Sequence, residues 1–270
     1  MLRFISVFLA ALSIATSAWG DENIFNSVTA IREEALRIGS EAALVATAPV
    51  DTEGYGLIGT LATAGAVGLT YIYDADIRGK LKGAKSSRVD KAVDAGDILG
   101  NPILHIGLAA ALYGGAIIAD SPKYKELGEM LGESVLLADA TSFVLKQAIG
   151  RARPFATGDR GNFRPFQFRN DDDSMPSMHT ASSFAMASVL SATSESFSAK
   201  LTYYAAATFV GFSRMYKDKH WASDIVLGAA IGELCGRVVT RYHGEHGTSW
   251  LTLAPMATQR GVSLALLGRW

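Results

Sequence analysis

The stretch Ser213-Arg214-Met215-Tyr216-Lys217-Asp218-Lys219-His220-Trp221-Ala222-Ser223-Asp224 leads into an apolar run over 225–235 that reads as a helix. His220 and Asp224 stand four apart at its start. On one helical face, the carboxylate can accept the Nδ1 proton of the imidazole. A histidine held in that way presents Nε2 outward as a base or nucleophile. Arg214, just upstream, adds a fixed positive charge for whatever that nitrogen attacks. Alone, such a pair reads more readily as a satisfied surface hydrogen bond, so the rest of the chain has to decide.

Outward from this stretch, apolar helical runs recur at 56–73, 102–119, 127–149, 180–193, 201–212 and 225–239. They are preceded by an amphipathic stripe over 23–46, made of Ile24, Val28, Ile31, Ala35, Ile38, Ala42 and Val45. About six apolar helices with almost no alternating pattern predict an all-α bundle. The basic segment with Arg78, Lys80, Lys82, Lys85, Arg88 and Lys91 reads as a loop between two helices. Alternation in the tail, from Trp250 through Leu251 and Leu253 to Val262, Leu264, Leu266 and Trp270, reads as a small C-terminal β-hairpin. Two strands cannot close an outer-membrane barrel.

At 270 residues and 49% hydrophobic content, the chain can bury one large core. A net charge of −1 gives no reason to expect a nucleic-acid partner. The start, Met1-Leu2-Arg3, then an apolar run over 4–15 and Ala18-Trp19-Gly20, is a secretory signal pattern too short to span a membrane. The expected organisation is a signal peptide at 1–20, an amphipathic helix and linker at 21–55, a helical bundle at 56–245 and the hairpin tail at 246–270. Cys235 is the only cysteine, so no internal disulfide forms, and it reads as a small core residue. Glu129, Glu133 and Asp139 would be costly in lipid, and 201–212 is too short to cross it. The reading therefore favours a secreted, periplasmic bundle, free or membrane-associated, over an integral one.

Three further groups read as structural. His105 on its apolar helix is a satisfied core histidine, and Asp171-Asp172-Asp173 is a solvated loop because consecutive side chains diverge. His243 and His246 could share a helical face and bind a metal, but no third ligand is in view.

Lys146 and Arg153 are seven apart, which on one helix places them two turns along the same face, with Pro154 ending the helix. Such a pair is a ready anion clamp, or else two snorkelling basic residues. Pro176-Ser177-Met178-His179 then opens the next apolar helix. There the free N–H groups and the Ser177 hydroxyl can bind an anion, and His179 can exchange a proton with it.

Together, Lys146-x6-Arg153-Pro154, Pro176-Ser177-Met178-His179 and Ser213-Arg214-x5-His220-x3-Asp224 resemble the three signature motifs of the type 2 phosphatidic acid phosphatase superfamily. That superfamily includes class A acid phosphatases and vanadium haloperoxidases. The motifs cover 146–224, and the helix pattern extends the likeness to about 56–240. One departure is Met178, where the family usually carries glycine; methionine keeps the N–H but forbids the loosest backbone angles.

The resemblance implies a metal-independent phosphatase, with no cofactor, acting on a phosphate monoester or diphosphate. His220 would attack phosphorus to form a phosphohistidine, oriented by Asp224. His179 would protonate the leaving oxygen and later activate water. Lys146, Arg153, Ser177, Met178 and Arg214 would hold the phosphate oxygens. On this scheme His220 starts neutral and His179 protonated. A vanadate-dependent haloperoxidase is one alternative, and a phosphate or lipid-headgroup binding protein without catalysis is another. The aromatic and basic segment 155–169, with Phe155, Arg160, Phe163, Arg164, Phe166, Phe168 and Arg169, reads either as a pocket mouth suited to a lipid phosphate or as a packed loop. Phosphatidic acid, phosphatidylglycerol phosphate, isoprenyl diphosphate, lipid A and soluble monoesters all satisfy these residues.

Overall fold

The computed structural model describes residues 23–53, 56–169, 171–246, 251–258 and 261–268, with side chains described only within 32–245. The signal peptide expected at 1–20 lies outside the described residues. The hairpin expected at 246–270 falls where no side chains are described, so the fold rests on the helices.

These are α1 (Asn23–Thr47), α2 (Gly56–Gly83), α3 (Ser87–Leu99), α4 (Pro102–Ile118), α5 (Pro122–Ile149), α6 (Met178–Ala192), α7 (Phe197–Tyr216) and α8 (Ala222–His246). Their ends follow capping chemistry. The Asn101 side chain accepts from the Ile103 N–H at 2.9 Å ahead of Pro102, and Ser86 and Ser196 accept at 3.4 Å from Val89 and Ala199. Gly150 closes α5 in the left-handed region, at φ 60° and ψ 40°.

The bundle is mostly helical, as the apolar runs predict, and its centre is the pair α6 and α8. Gly228, Gly232 and Gly236 stand on one face of α8 at four-residue spacing. A Cβ at Gly232 would run into the Ala181 carbonyl oxygen and lie 2.8 Å from the Ala185 nitrogen. Glycine is therefore required for the two backbones to approach this closely. Ala138, Ala181, Ala185, Val189, Cys235 and Val239 fill the core around this contact, none of them measurably exposed. His105 is the satisfied core histidine expected. Its Nε2–H donates to the Leu99 carbonyl at 2.6 Å, and its Nδ1 lies 2.8 Å from the Ser182 hydroxyl.

Two sequence expectations are corrected. The basic segment around 78–91 is not a loop. α2 runs through it to Gly83, and α3 resumes at Ser87. Arg78 fixes the extension by donating to the Asp218 carboxylate at 2.6 and 2.7 Å and to the Pro154 carbonyl. Also, α7 is a 20-residue helix rather than the short run at 201–212, because its polar first and last turns are helical too.

The outer face matters for function. α2 is long and apolar enough to cross a membrane, and the rest of the protein does not bury its apolar window. α3 and α4 meet the same test as a pair bent by 54°. Ile58, Leu61, Leu69 and Ile72 on α2, with Ile103, Leu108 and Ile118 on α4, are all more than half exposed. The Glu129 and Glu133 side chains face inward, only 8% and 4% exposed, and so do not argue against lipid outside.

Candidate active site

Three cations from two separate parts of the chain meet at one end of the bundle. Lys146 occupies the last turn of α5, where its charge suits the helix C-terminus. Arg153 does not share its helical face as the spacing suggested, because α5 stops at Ile149 and the chain turns at Gly150. The two converge instead on Asp173. The Lys146 ammonium donates to its main-chain oxygen, and Arg153 grips its carboxylate through Nε at 2.6 Å and Nη2 at 2.9 Å. The Asp171–Asp173 triplet is thus not merely a solvated loop; its last member is bound to two cations. Arg214, in the last turn of α7, pairs with Asp97 of α3, which also takes the Lys217 ammonium at 2.7 Å.

His220 is buried beside this cluster, and its geometry differs from the expected one. α8 begins at Ala222, so His220 lies ahead of the helix and cannot share a helical face with Asp224. Its Nδ1 is 2.7 Å from the Ser174 carbonyl, whereas the Asp224 Oδ2 is 3.7 Å away. The carbonyl fixes the tautomer, with the proton on Nδ1, and leaves Nε2 without one. Asp224 acts from one step back. It accepts the Ser174 hydroxyl at 2.5 Å, the Trp221 N–H at 2.8 Å and Arg151 Nη1 at 2.6 Å.

The second motif opens α6 as expected, with Ser177 at the N-cap. Ser177 is fully buried, donates its N–H to the Asp224 carbonyl at 3.0 Å and accepts the Thr180 hydroxyl at 3.0 Å. Met178 is the first helical residue, and a helical backbone accommodates methionine without strain. The concern raised by its replacing glycine is therefore confined to its side chain.

Electrostatics set the protonation states. Burial, then the charges of Lys146, Arg153 and Arg214, hold His220 well below the usual histidine range. His179 is lowered to about 3 by burial and then by Arg214, with Lys146 and Arg153 adding to the effect. Burial also lowers Lys146 to about 8. His220 is neutral, as the mechanism needs. His179 is neutral too in the protein without substrate, against the expectation that it starts protonated: burial first, and then Arg214, disfavours its charged form.

The motif reading missed the support beneath Asp224. Arg151 is fully buried and donates Nη1 to Asp224 and to the Ser223 hydroxyl at 2.7 Å, and Nη2 to Asp74 at 2.8 Å. Asp74 in turn takes the Ser223 N–H at 2.9 Å and its hydroxyl at 2.6 Å. Tyr71, Phe163 and Trp221 wall the guanidinium at 5.1, 5.5 and 5.2 Å. The available signal was an aspartate directly after the charge-free run 56–73, since an acid there needs a buried cation. In the segment 155–169, Phe155, Phe166 and Phe168 are about half exposed or more, and the last two hold left-handed backbone at φ 60° and 53°. Arg160 of the same segment is packed, over Tyr71 at 5.3 Å.

Residues 130–247 match the PAP2 superfamily model. The chain is 34% identical over 125 residues to a lipid A 1-phosphatase of Porphyromonas gingivalis, covering 43% of this chain and 25% of that protein. It is 30% identical over 108 residues to a lipid A 1-phosphatase of Rhizobium johnstonii, covering 39% of this chain and 43% of that one. The chain thus spans less than half the length of either curated relative. A transmembrane PAP2-type phosphatidylglycerolphosphate phosphatase from Bacillus subtilis shares the fold, with a TM-score of 0.54 at 18% identity over 74% of this chain and 98% of that one. Residues 130–247, the part that resembles the PAP2 superfamily, hold both histidines and all three cations.

Proposed function

We propose that this chain is a phosphatase that hydrolyses a lipid phosphate at a membrane surface through a phosphohistidine on His220. The observation that carries the reading is the meeting of Lys146, Arg153 and Arg214 with two neutral histidines, half-buried His179 and buried His220, the latter with its Nδ1 fixed. Three cations can balance a phosphoryl group and its developing charge, the work a metal ion does elsewhere. In this reading His220 Nε2 attacks phosphorus in line while the ester oxygen leaves with a proton from His179. Water then attacks the phosphohistidine, gives a proton back to His179 and releases phosphate and free His220. Ser177 and the Met178 N–H complete the cradle at the α6 N-terminus. Asp224, held by Arg151, stabilises the charge that His220 gains as it is phosphorylated.

His179 must acquire its proton when substrate arrives. A phosphate dianion among the three cations offsets the burial and the repulsion that keep the imidazole neutral, and a monoanionic ester brings a proton of its own.

The lipid assignment rests on the outer face. The apolar surface of α2 leads directly to Asp74 and Arg78 beside the site, so acyl chains along that face put a headgroup at the cations. Exposed Phe155, Phe166 and Phe168 beside Arg164 and Arg169 suit the interfacial zone. The relatives' names make lipid A the first substrate to try, and the periplasmic location expected from residues 1–20 is the compartment where it would be met.

The test is phosphate release by the purified chain in excess EDTA, with His220→Ala alongside. Lipid A, phosphatidylglycerol phosphate, phosphatidic acid, isoprenyl diphosphate and a soluble aryl phosphate form the panel. Turnover that survives chelation, prefers a lipid and falls by several orders of magnitude in the variant is expected. Near-normal turnover in His220→Ala would refute the mechanism, and a preference for the aryl phosphate would refute the lipid assignment.

A further inference from the structure

A buried acidic cluster among the described residues lies far from the phosphate site. Glu41 of α1, Glu133 of α5 and His243 of α8 converge, each offering a ligand atom within 4.8 Å of the others. Thirteen residues of α5 separate Glu133 from Lys146, about 20 Å of helix, and nineteen of α8 separate His243 from Asp224, about 28 Å. This cluster is at the opposite end of the bundle, and the proposed reaction does not use it.

Its geometry is unusual for a plain ion-pair network. His243 Nε2 lies 2.6 Å from Glu133 Oε2 and 3.8 Å from Glu41 Oε1. Glu41 is fully buried, points at that imidazole, and neither of its oxygens has a hydrogen-bond partner. A buried carboxylate without a partner is costly unless a cation or a proton sits with it. The surroundings favour a cation. Glu34, Glu126 and Glu129 also face the cluster, whereas the fixed positive charges are Arg37, 2.5 Å from Glu133, and Lys125, 3.5 Å from Glu129. Among the described residues, five carboxylates against two fixed cations leave a local excess of negative charge.

We propose that Glu41, Glu133 and His243 bind a divalent cation of the zinc class, which fastens α1 to α5 and α8. One imidazole and two carboxylates form a mixed donor set suited to zinc, with water in the fourth position. Calcium would want six or more oxygens and no imidazole. Ligands at zinc distances stand about 3.3 Å apart, so the observed 2.6 and 3.8 Å need only small side-chain adjustments. The consequence is specific to this chain. Helix α1 precedes the residues that match the family, and the ion would bind it to two helices of the phosphatase core. His243 thereby finds the partners that its sequence neighbourhood lacked, across the bundle.

The experiment uses the full, untagged chain stripped of metal, titrated with zinc chloride by calorimetry and melted with and without the ion. One site per chain is expected, with a Tm rise of about 5 to 10 °C at a hundredfold excess over Kd. Glu41→Gln keeps the shape of the side chain and should weaken binding at least tenfold, as should His243→Ala. Below its Tm, Glu41→Gln should release phosphate at the wild-type rate. Absence of zinc binding to the wild-type chain would overturn the proposal and leave a proton on Glu41 as the explanation. Binding that survives both variants, or an equal Tm rise with calcium, would overturn it as well.

Discussion

An anion entering the site should bring a proton onto His179. In the ligand-free protein that imidazole is lowered to about 3, so carrying a proton at pH 7 costs about 5 kcal/mol. A dianion seated about 5 Å from the ring returns about 3 kcal/mol per unit charge at an effective dielectric of 20, about 7 in all. That exceeds the cost and brings the bound-state pKa to about 7 or above. Tungstate is a suitable probe, being a tetrahedral dianion with no proton of its own near neutral pH. Calorimetry at pH 7 in two buffers of different ionisation enthalpy should then show uptake of half a proton or more per tungstate bound. Lys146 contributes little of this. At a pKa of about 8 it is already about 90% charged at pH 7, leaving at most about 0.1 proton to take up. In His179→Gln tungstate should still bind, but the uptake should drop to that residue. Binding with no buffer dependence would refute the argument. So would uptake that persists in His179→Gln, because the proton would then be on His220, which the proposed mechanism requires neutral.

Three further outcomes follow from the geometry. The lowered Lys146 gives the free enzyme an alkaline limb in kcat/KM, which falls as pH rises through about 8 and the ammonium is lost; in Lys146→Arg the limb should vanish from that range, whatever happens to kcat. Arg151→Met strands Asp74 and Asp224 in the core and should cost about 3 to 5 kcal/mol in denaturant unfolding; an unchanged midpoint would refute the buried network. Gly232→Ala pushes a methyl against the α6 backbone, and should cost about 1 to 3 kcal/mol while lowering turnover by separating the helix of His179 from that of Asp224.

The helices and the residues of the site were legible because each announces itself locally. Apolar runs marked the bundle, and Lys146, Arg153, His179, Arg214, His220 and Asp224 stood in motifs whose order and spacing are specific. How they touch was not legible. Spacing was read through helical periodicity, and two of the three motifs leave the helix at the point where the periodicity was applied: α5 ends before Arg153, and α8 begins after His220. Gly228, Gly232 and Gly236 drew no reading from the sequence, because only the partner helix shows what they are for. Exposure of α2 was hidden for a similar reason, since an apolar helix facing lipid and one facing a core have the same composition.

What joins the motifs is the segment from Asp171 to Ser177, which carries no ligand-binding signature beyond its final serine. Asp173 takes Lys146 on its carbonyl and Arg153 on its carboxylate, Ser174 takes the His220 Nδ1 proton on its carbonyl and gives its hydroxyl to Asp224, and Ser177 donates its N–H to the Asp224 carbonyl. Of these five contacts, three run through main-chain atoms that any residue would supply. The position of His220 is thus encoded in the path of a short loop more than in side-chain identity. That path is fixed from below by Arg151, whose carbonyl accepts the Ser174 N–H at 2.9 Å while its guanidinium holds Asp224. A residue outside the motif positions sets both the loop that orients His220 and the carboxylate that stabilises it, so the reactive geometry and the stability of the core are properties of one buried arginine.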